Sequence, residues 1–335
     1  MKTFIIAEAG VNHNGDIEIA KKLIYRAKEA GCDCIKFQTF SAENMVTKEA
    51  PQAEYQIVNT GKKESQYDML KSLELDEKSF WLLKQECDKS GIEFMSTPFD
   101  EMSVDILERI GVKKYKMSSG DITNKPLLEY VARKEKPIII STGMSTLQEV
   151  KTAVSWLEIC GNTNISILHC TSNYPTPYEE VNMGAMQTMI KAFPYPIGYS
   201  DHTKGYEIPI MAVSMGACII EKHFTLNKNM TGPDHKASLD YTELTEMVDK
   251  IRNIEKAFGD GEKKPNLSEM LTREVARKSI VMAKGLKAGD IIKREDLAVK
   301  RPGNGLLPSE INNIIGKSMV HDIRKDDLLL KSDIK

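Results

Sequence analysis

The chain has 335 residues, 41% hydrophobic and 28% charged, with a formal net charge of −2, which fits an ordinary globular protein of one large domain or two. That balance excludes bulk attraction to nucleic acid or to an anionic membrane. Apolar runs such as Phe4 to Ala7 and Pro137 to Ile140 are far short of the ~20 residues that cross a bilayer.

Glu8 interrupts the amino terminus before a signal-peptide core could form, which predicts a cytoplasmic protein. Six cysteines, at 32, 34, 87, 160, 170 and 218, include no CxxC and read as reduced thiols. Along the chain, short β-branched runs alternate with amphipathic stretches, the pattern of parallel βα units. Strands are predicted from residue 3 to 7, 34 to 38, 93 to 96, 114 to 117, 137 to 141, 166 to 169, 197 to 200 and 218 to 223. Helix patterns follow at 17 to 29, 80 to 90, 104 to 110, 127 to 133, 147 to 158 and 241 to 258, the last stopped by Gly259. Eight repeats predict a closed TIM (β/α)8 barrel. Ser145 with Gln148 and Asp240 with Glu243 have capping-box spacing. The stretch from Ser41 to Asp76 is too long for a plain loop and predicts a lid or extra elements over the barrel mouth.

The barrel is expected over 1–261, with a linker at 262–278 and a separate module of short strands and tight turns at 279–335. Residues 262–335 carry a net charge of +5 and the remainder −7, so the module could complement an acidic barrel face.

Barrel enzymes place their chemistry at the carboxyl ends of the strands, and polar residues concentrate there. His202 and His223 end adjacent strands, about 5 Å apart, and are predicted to share one divalent cation. Two nitrogen ligands with positions left open suit Mn²⁺ or Mg²⁺ better than a closed Zn²⁺ site. Lys36 and Lys116 fall in mid-strand, where burial is costly unless an anion or a nucleophilic role compensates. With Thr97, Ser119 and Ser141 they could cage a phosphate; alternatively, one lysine could form a Schiff base in a 2-keto acid aldolase. Glu8, Asp121, Glu221 and Asp234 are candidate acid/base or hydroxyl-holding groups.

Ordered motifs run through the whole chain: Ala7-Glu-Ala-Gly-Val-Asn-His-Asn-Gly15, Ile35-Lys-Phe-Gln-Thr39, Ser96-Thr-Pro-Phe99, Ser141-Thr-Gly-Met144, Tyr174-Pro-Thr-Pro177, Tyr199-Ser-Asp-His-Thr203, Glu221-Lys-His-Phe224 and Lys300-Arg-Pro-Gly-Asn-Gly305. They resemble the bacterial sialic acid synthase family, which includes legionaminate and pseudaminate synthases. The resemblance implies a TIM barrel followed by an antifreeze-like (SAF, β-clip) domain, in a domain-swapped homodimer. It implies condensation of phosphoenolpyruvate with an open-chain N-acetylhexosamine and water, giving a nine-carbon 2-keto acid and phosphate, with Mn²⁺, or Mg²⁺ or Co²⁺, as cofactor. By the same resemblance His202 and His223 hold the metal, and Lys36, Thr97, Lys116, Ser119 and Ser141 hold phosphoenolpyruvate. Glu8, Gln38, Asp121, Tyr174 and Asp234 serve the sugar or acid/base steps, and Arg301 comes from the partner's small domain; Glu221, from its place beside the metal site, is the group expected to steer the water. N-acetylmannosamine is the expected sugar. Asp121 and Ser172, however, stand where the family usually has Glu and commonly Asn, which would suit a 6-deoxy diacetamido hexose, the legionaminate precursor.

Overall fold

Eight parallel strands make the inner wall of the first unit: β1 (Phe4–Gly10), β2 (Cys34–Thr39), β3 (Glu93–Pro98), β4 (Tyr115–Met117), β5 (Ile138–Ser141), β6 (Ile165–Cys170), β7 (Ile197–Asp201) and β8 (Ile219–His223). They are hydrogen-bonded in the order β3-β2-β1-β8-β7-β6-β5-β4, and the terminal strands β3 and β4 pack side by side. The wall is therefore a closed TIM barrel. In this computed structural model, residues 2–335 are described, in two units, Met1–Gly259 and Asp260–Lys335.

Around the wall run α1 (Ile17–Glu29), α2 (Ala42–Met45), α3 (Glu54–Thr60), α4 (Gln66–Leu73), α5 (Glu77–Ser90), α6 (Glu101–Ile110), α7 (Lys125–Ala132), α8 (Leu147–Ile159), α9 (Met183–Ala192), α10 (Glu207–Ser214) and α11 (Tyr241–Ala257). Helix α1 shows why the sequence pattern works. Asp16 accepts hydrogen bonds from the Glu18 and Ile19 amides, and Ala20, Leu23, Ile24 and Ala27 are buried along one stripe. The long second connection holds α2, α3 and α4, so its polar text is helical and not a bare loop. One cap sits a residue beyond its expected place. Thr146 and Glu149 form the capping box of α8, because Ser145 instead donates to the Gly143 carbonyl in the preceding turn.

Side chains alternate between the two faces of each strand. The outward set, including Ile5, Ala7, Ile35, Phe37, Ile138, Ile140 and Ile220, packs beneath the helices in the main core. The inward set begins with an apolar plug of Ile6, Cys34, Met95, Ile139, Leu168 and Ile219. Strand β7 contributes Gly198 at this level, where a Cβ would lie 2.5 Å from the Ile219 carbonyl. Cys32 belongs to the outer core and Cys34 to the plug.

In the second unit, β9 (Ser279–Met282) pairs antiparallel with β10 (Leu297–Lys300), over a small core of Ile280, Met282, Ile292, Leu297, Ile314, Met319, Ile323 and Leu329. The stretch expected to be a linker contains α12 (Leu267–Ala276), with an Asn266–Glu269 capping box. The run from Gly261 to Pro265 reads as a linker and masks the start of this helix. Among the described residues no helix is long and apolar enough to cross a membrane.

Candidate active site

Two residues beyond the plug, the same inward face becomes polar. Glu8, Lys36, Thr97, Lys116, Ser141, Cys170, Ser200 and Glu221 line a cavity of about 420 Å³, topped by Gln38, Ser119, Ser172, Tyr174, His202 and His223. Strand periodicity brings most of these groups together, since Glu8, Lys36, Thr97, Ser141, Cys170 and Glu221 each follow a plug residue by two positions, while Ser200 follows Gly198 and Lys116 is the inward residue of the short β4, in register with Ile139.

The floor is a chain of alternating charges. Lys36 Nζ lies 2.8 Å from Glu8 Oε2 and 3.9 Å from Glu221 Oε2, and donates to Thr97 Oγ1 at 2.9 Å. Lys116 Nζ lies 3.5 Å from Glu221 Oε1 and donates to Ser141 Oγ at 2.6 Å. Ser200 Oγ donates to Glu221 Oε1 at 3.0 Å. Burial pushes the Glu8 carboxyl up to about 7 against the pull of Lys36, with Glu221 adding to the rise. Burial would also raise Glu221, yet Lys116 and Lys36 hold it below the usual carboxylate range. Burial would lower Lys36, but Glu221 and Glu8 outweigh it and hold the ammonium above its usual value. For Lys116 burial wins and the value is held down. With Glu8 neutral, two ammonium groups face one carboxylate, leaving a net positive floor suited to an anion.

The two imidazoles stand above this floor with ring centroids 5.4 Å apart. His202 Nδ1 is 2.7 Å from the Thr171 carbonyl, an arrangement that leaves Nε2 free to coordinate. His223 is buried, and its Nδ1 has no hydrogen-bond partner; Asp234 Oδ2 is 4.0 Å away. Burial, and then His202 and the lysines, hold His223 well below the usual imidazole value, which keeps the lone pair of one ring nitrogen available. Among the described residues no group of three or more His, Cys, Asp or Glu is arranged to hold a metal ion. Burial would lower His202 as well, but Cys170 and the Thr171 carbonyl outweigh it and hold that imidazole above its usual value, so a cation there would displace a proton from His202; with the orphaned nitrogen of His223 beside it, the pair fits a cation that keeps open positions.

The lid completes the site. Tyr55 of α3 stacks on Tyr174 at 5.1 Å, and Tyr174 lies 4.1 Å from His202. Asn59 donates to the Pro233 carbonyl at 2.7 Å, tying α3 to the loop that carries Asp234. Gly143 marks a close approach, because a Cβ there would meet Ser172 Oγ at 2.1 Å and Ser119 Oγ at 2.9 Å.

The NeuB family model matches residues 23–263, and the SAF domain model matches residues 277–335. The chain belongs to the NeuB family. It is 49% identical to a protein of Legionella pneumophila named N,N'-diacetyllegionaminic acid synthase, over 100% of this chain and 95% of that one. A Campylobacter jejuni protein of the same name is 48% identical, covering 98% and 99%. Among solved structures, the N-acetylneuraminic acid (sialic acid) synthetase of Leptospira borgpetersenii in complex with citrate superposes with a TM-score of 0.72 at 37% identity, covering 81% and 90%.

Not every residue singled out from this NeuB-family sequence lines the cavity. Asp121 accepts from Ser118 and Asn124 beside it, and its carboxyl is raised by burial. Arg301 is exposed in the second unit, in the turn after β10. His13, His169 and His235 serve the fold: Gly15 donates to His13, His169 bonds the Val181 carbonyl, and His235 bridges Thr225 and Asn14. Tyr55, Gln56 and Gln66 line the cavity and were not read from the sequence. Their helices are separated from the strands by a polar, aperiodic stretch, and Tyr55 alone, as an aromatic residue in such text, carried a signal.

Proposed function

We propose that this chain is a nonulosonic acid synthase, condensing phosphoenolpyruvate with open-chain 2,4-diacetamido-2,4,6-trideoxymannose and water to give N,N'-diacetyllegionaminate and phosphate. The observation that carries the reaction type is the convergence of Lys36, Lys116, His202 and His223 on one cavity. The choice of sugar over the expected N-acetylmannosamine is supported by the two relatives named as legionaminic acid synthases at 49% and 48% identity.

In this reading the lysines, with Thr97, Ser119 and Ser141, seat the phosphate and carboxylate of phosphoenolpyruvate. His202 and His223 would hold a divalent cation, Mn²⁺ or else Mg²⁺ or Co²⁺, whose contribution is to polarise the sugar aldehyde. As C3 of phosphoenolpyruvate bonds to the aldehyde carbon, Glu8, protonated below about pH 7, gives the aldehyde oxygen its proton. Glu221, kept ionised by the lysines, faces the positive charge that develops at C2 and takes the proton of the water that adds there. The bond from C2 to the phosphate oxygen then breaks as the new C2 hydroxyl becomes the ketone, its proton passing to the departing phosphate, which leaves into the lysine cage. Gln38 and Tyr174 are assigned to the sugar, with Asp234 beside His223, Ser172 shaping the sugar's end of the pocket, and Asp121, outside the cavity, holding Ser118 in its wall. Arg301 is assigned to the N-acyl end of a partner's substrate in a domain-swapped homodimer. Closure by α3 would exclude bulk water while two substrates and one water are held together.

A substrate panel tests the reading through phosphate release. The diacetamido trideoxy sugar should be used with kcat/KM at least about tenfold above N-acetylmannosamine, the scale of a few well-placed contacts. Equal or reversed preference would reject the sugar assignment. Chelation with EDTA should abolish turnover and Mn²⁺ should restore it; full activity in metal-free buffer would reject the histidine assignment. A borohydride-trapped adduct on Lys36 or Lys116 would favour the aldolase chemistry instead.

A further inference from the structure

Asp201 and Lys222 take no part in the cavity, yet each immediately precedes one of the two histidines. They are register partners in the β7–β8 ladder, on the outward face, and both side chains are fully buried. Lys222 Nζ donates to Asp201 Oδ2 at 2.6 Å and also to the Thr203 carbonyl. Asp201 accepts three further hydrogen bonds: from Tyr199 Oη at 2.8 Å, the Thr203 amide at 3.2 Å and Thr203 Oγ1 at 3.0 Å. A buried ion pair is weak evidence for stability, since apolar residues of similar volume often serve as well. Placement gives this one a purpose. It is a direct cross-strand tie at the level where the strands hand over His202 and His223, and Thr203, on the far side of His202, is held by both partners.

We propose that the Asp201–Lys222 pair, with Tyr199 and Thr203, is a positioning device that fixes the separation of the two imidazoles and so sets how tightly they hold a divalent cation. The inference rests on the metal reading above and extends it to residues outside the cavity. Groups that orient metal ligands from behind typically govern affinity by 10- to 100-fold. The rest of the backbone around the histidines is already anchored. The Thr176 amide donates to the His202 carbonyl at 2.9 Å, and the Leu239 amide to the His223 carbonyl at 2.8 Å. What the ion pair adds to the backbone ladder and the Ser200–Glu221 hydrogen bond is a buried side-chain tie on the outward face, at the residues next to both histidines.

The test is calorimetric titration of the full-length, chelator-stripped chain with Mn²⁺ alone. The double variant D201N/K222M removes both charges at nearly constant volume and should bind Mn²⁺ about 10- to 100-fold more weakly than the parent, with unchanged far-UV circular dichroism. Leu168→Ala, a change in the apolar plug, should lower the melting temperature while leaving Mn²⁺ affinity at the parent value. If the double variant does not fold, Tyr199→Phe deletes one donor to Asp201 and should weaken Mn²⁺ at least about threefold. Binding by the folded double variant, or by Tyr199→Phe in its place, within twofold of the parent would overturn the positioning role. A parent that binds Mn²⁺ no better than His202→Ala would overturn the metal reading, and this inference with it.

Discussion

The inward face of one barrel wall carries two layers that differ in kind although they lie only two residues apart on the same strands. The lower layer, Ile6, Cys34, Met95, Ile139, Leu168 and Ile219, is an apolar plug. The upper layer replaces these with Glu8, Lys36, Thr97, Ser141, Cys170 and Glu221, with Lys116 of β4 beside them, all buried. Dispersion and hydrophobic contact make the plug favourable to fold. The upper layer is costly to fold, since two carboxyls and two ammonium groups are withdrawn from water in one cavity. A wall selected for stability alone would extend the plug upward, so the cost marks where binding and chemistry are done.

The largest effect should come from crossing that boundary upward. Lys116→Met carries plug chemistry into the cage. Turnover should fall about 10²- to 10³-fold, the scale of losing one preorganised charge-stabilising donor, while the melting temperature stays equal to or above the parent's, because a desolvated ammonium has been removed. Phosphate-release kinetics and calorimetry on the same preparation check both halves. A variant that is active but unstable would mean the layers have been assigned the wrong way round.

Next in size is a deletion within the plug. Leu168 is fully buried against its neighbours on β5 and β7, and Leu168→Ala should cost about 2–5 kcal/mol of stability. The folded fraction should keep kcat within about threefold of the parent, the margin allowed for a change that touches no reacting group. Urea denaturation followed by kinetics at low temperature separates the two quantities. Loss of activity without loss of stability would show that the plug shapes the cavity and does not merely support it.

Much of this was legible in the residues. The barrel followed from eight βα repeats, and the inward polar layer followed from strand parity and position near the strand ends. His202 and His223 stand with ring centroids 5.4 Å apart because adjacent parallel strands fix the distance between their ends. What stayed hidden depends on contacts between distant segments. Tyr55 meets Tyr174 across 119 positions, and no local period announces such a contact. Helix α12 was hidden for a different reason, since a Gly- and Pro-bounded polar run looks like a linker whether or not a capped helix begins at Asn266. Three other histidines, His13, His169 and His235, are engaged by hydrogen bonds to neighbouring segments, partners that local sequence does not reveal.

The smallest expected effect sharpens the contrast between Ile6 and Glu8, inward neighbours on β1. A carboxyl in this position is pushed up to about 7, first by burial and then by Glu221, with Lys36 opposing. Its proton therefore comes off within the working range of most enzymes. If Glu8 supplies the proton to the aldehyde oxygen, kcat/KM should be level below about pH 7 and fall about tenfold per unit above it, since that profile reports the free enzyme's essential acid. Glu8→Gln keeps a hydrogen-bond donor of the same size but has no proton to lose. Its activity should be lower and its profile flat through pH 7. A neutral-pH limb that survives in Glu8→Gln would assign the titration to another group, and Glu8 would then be an ion-pair partner that holds Lys36 in place for the anion.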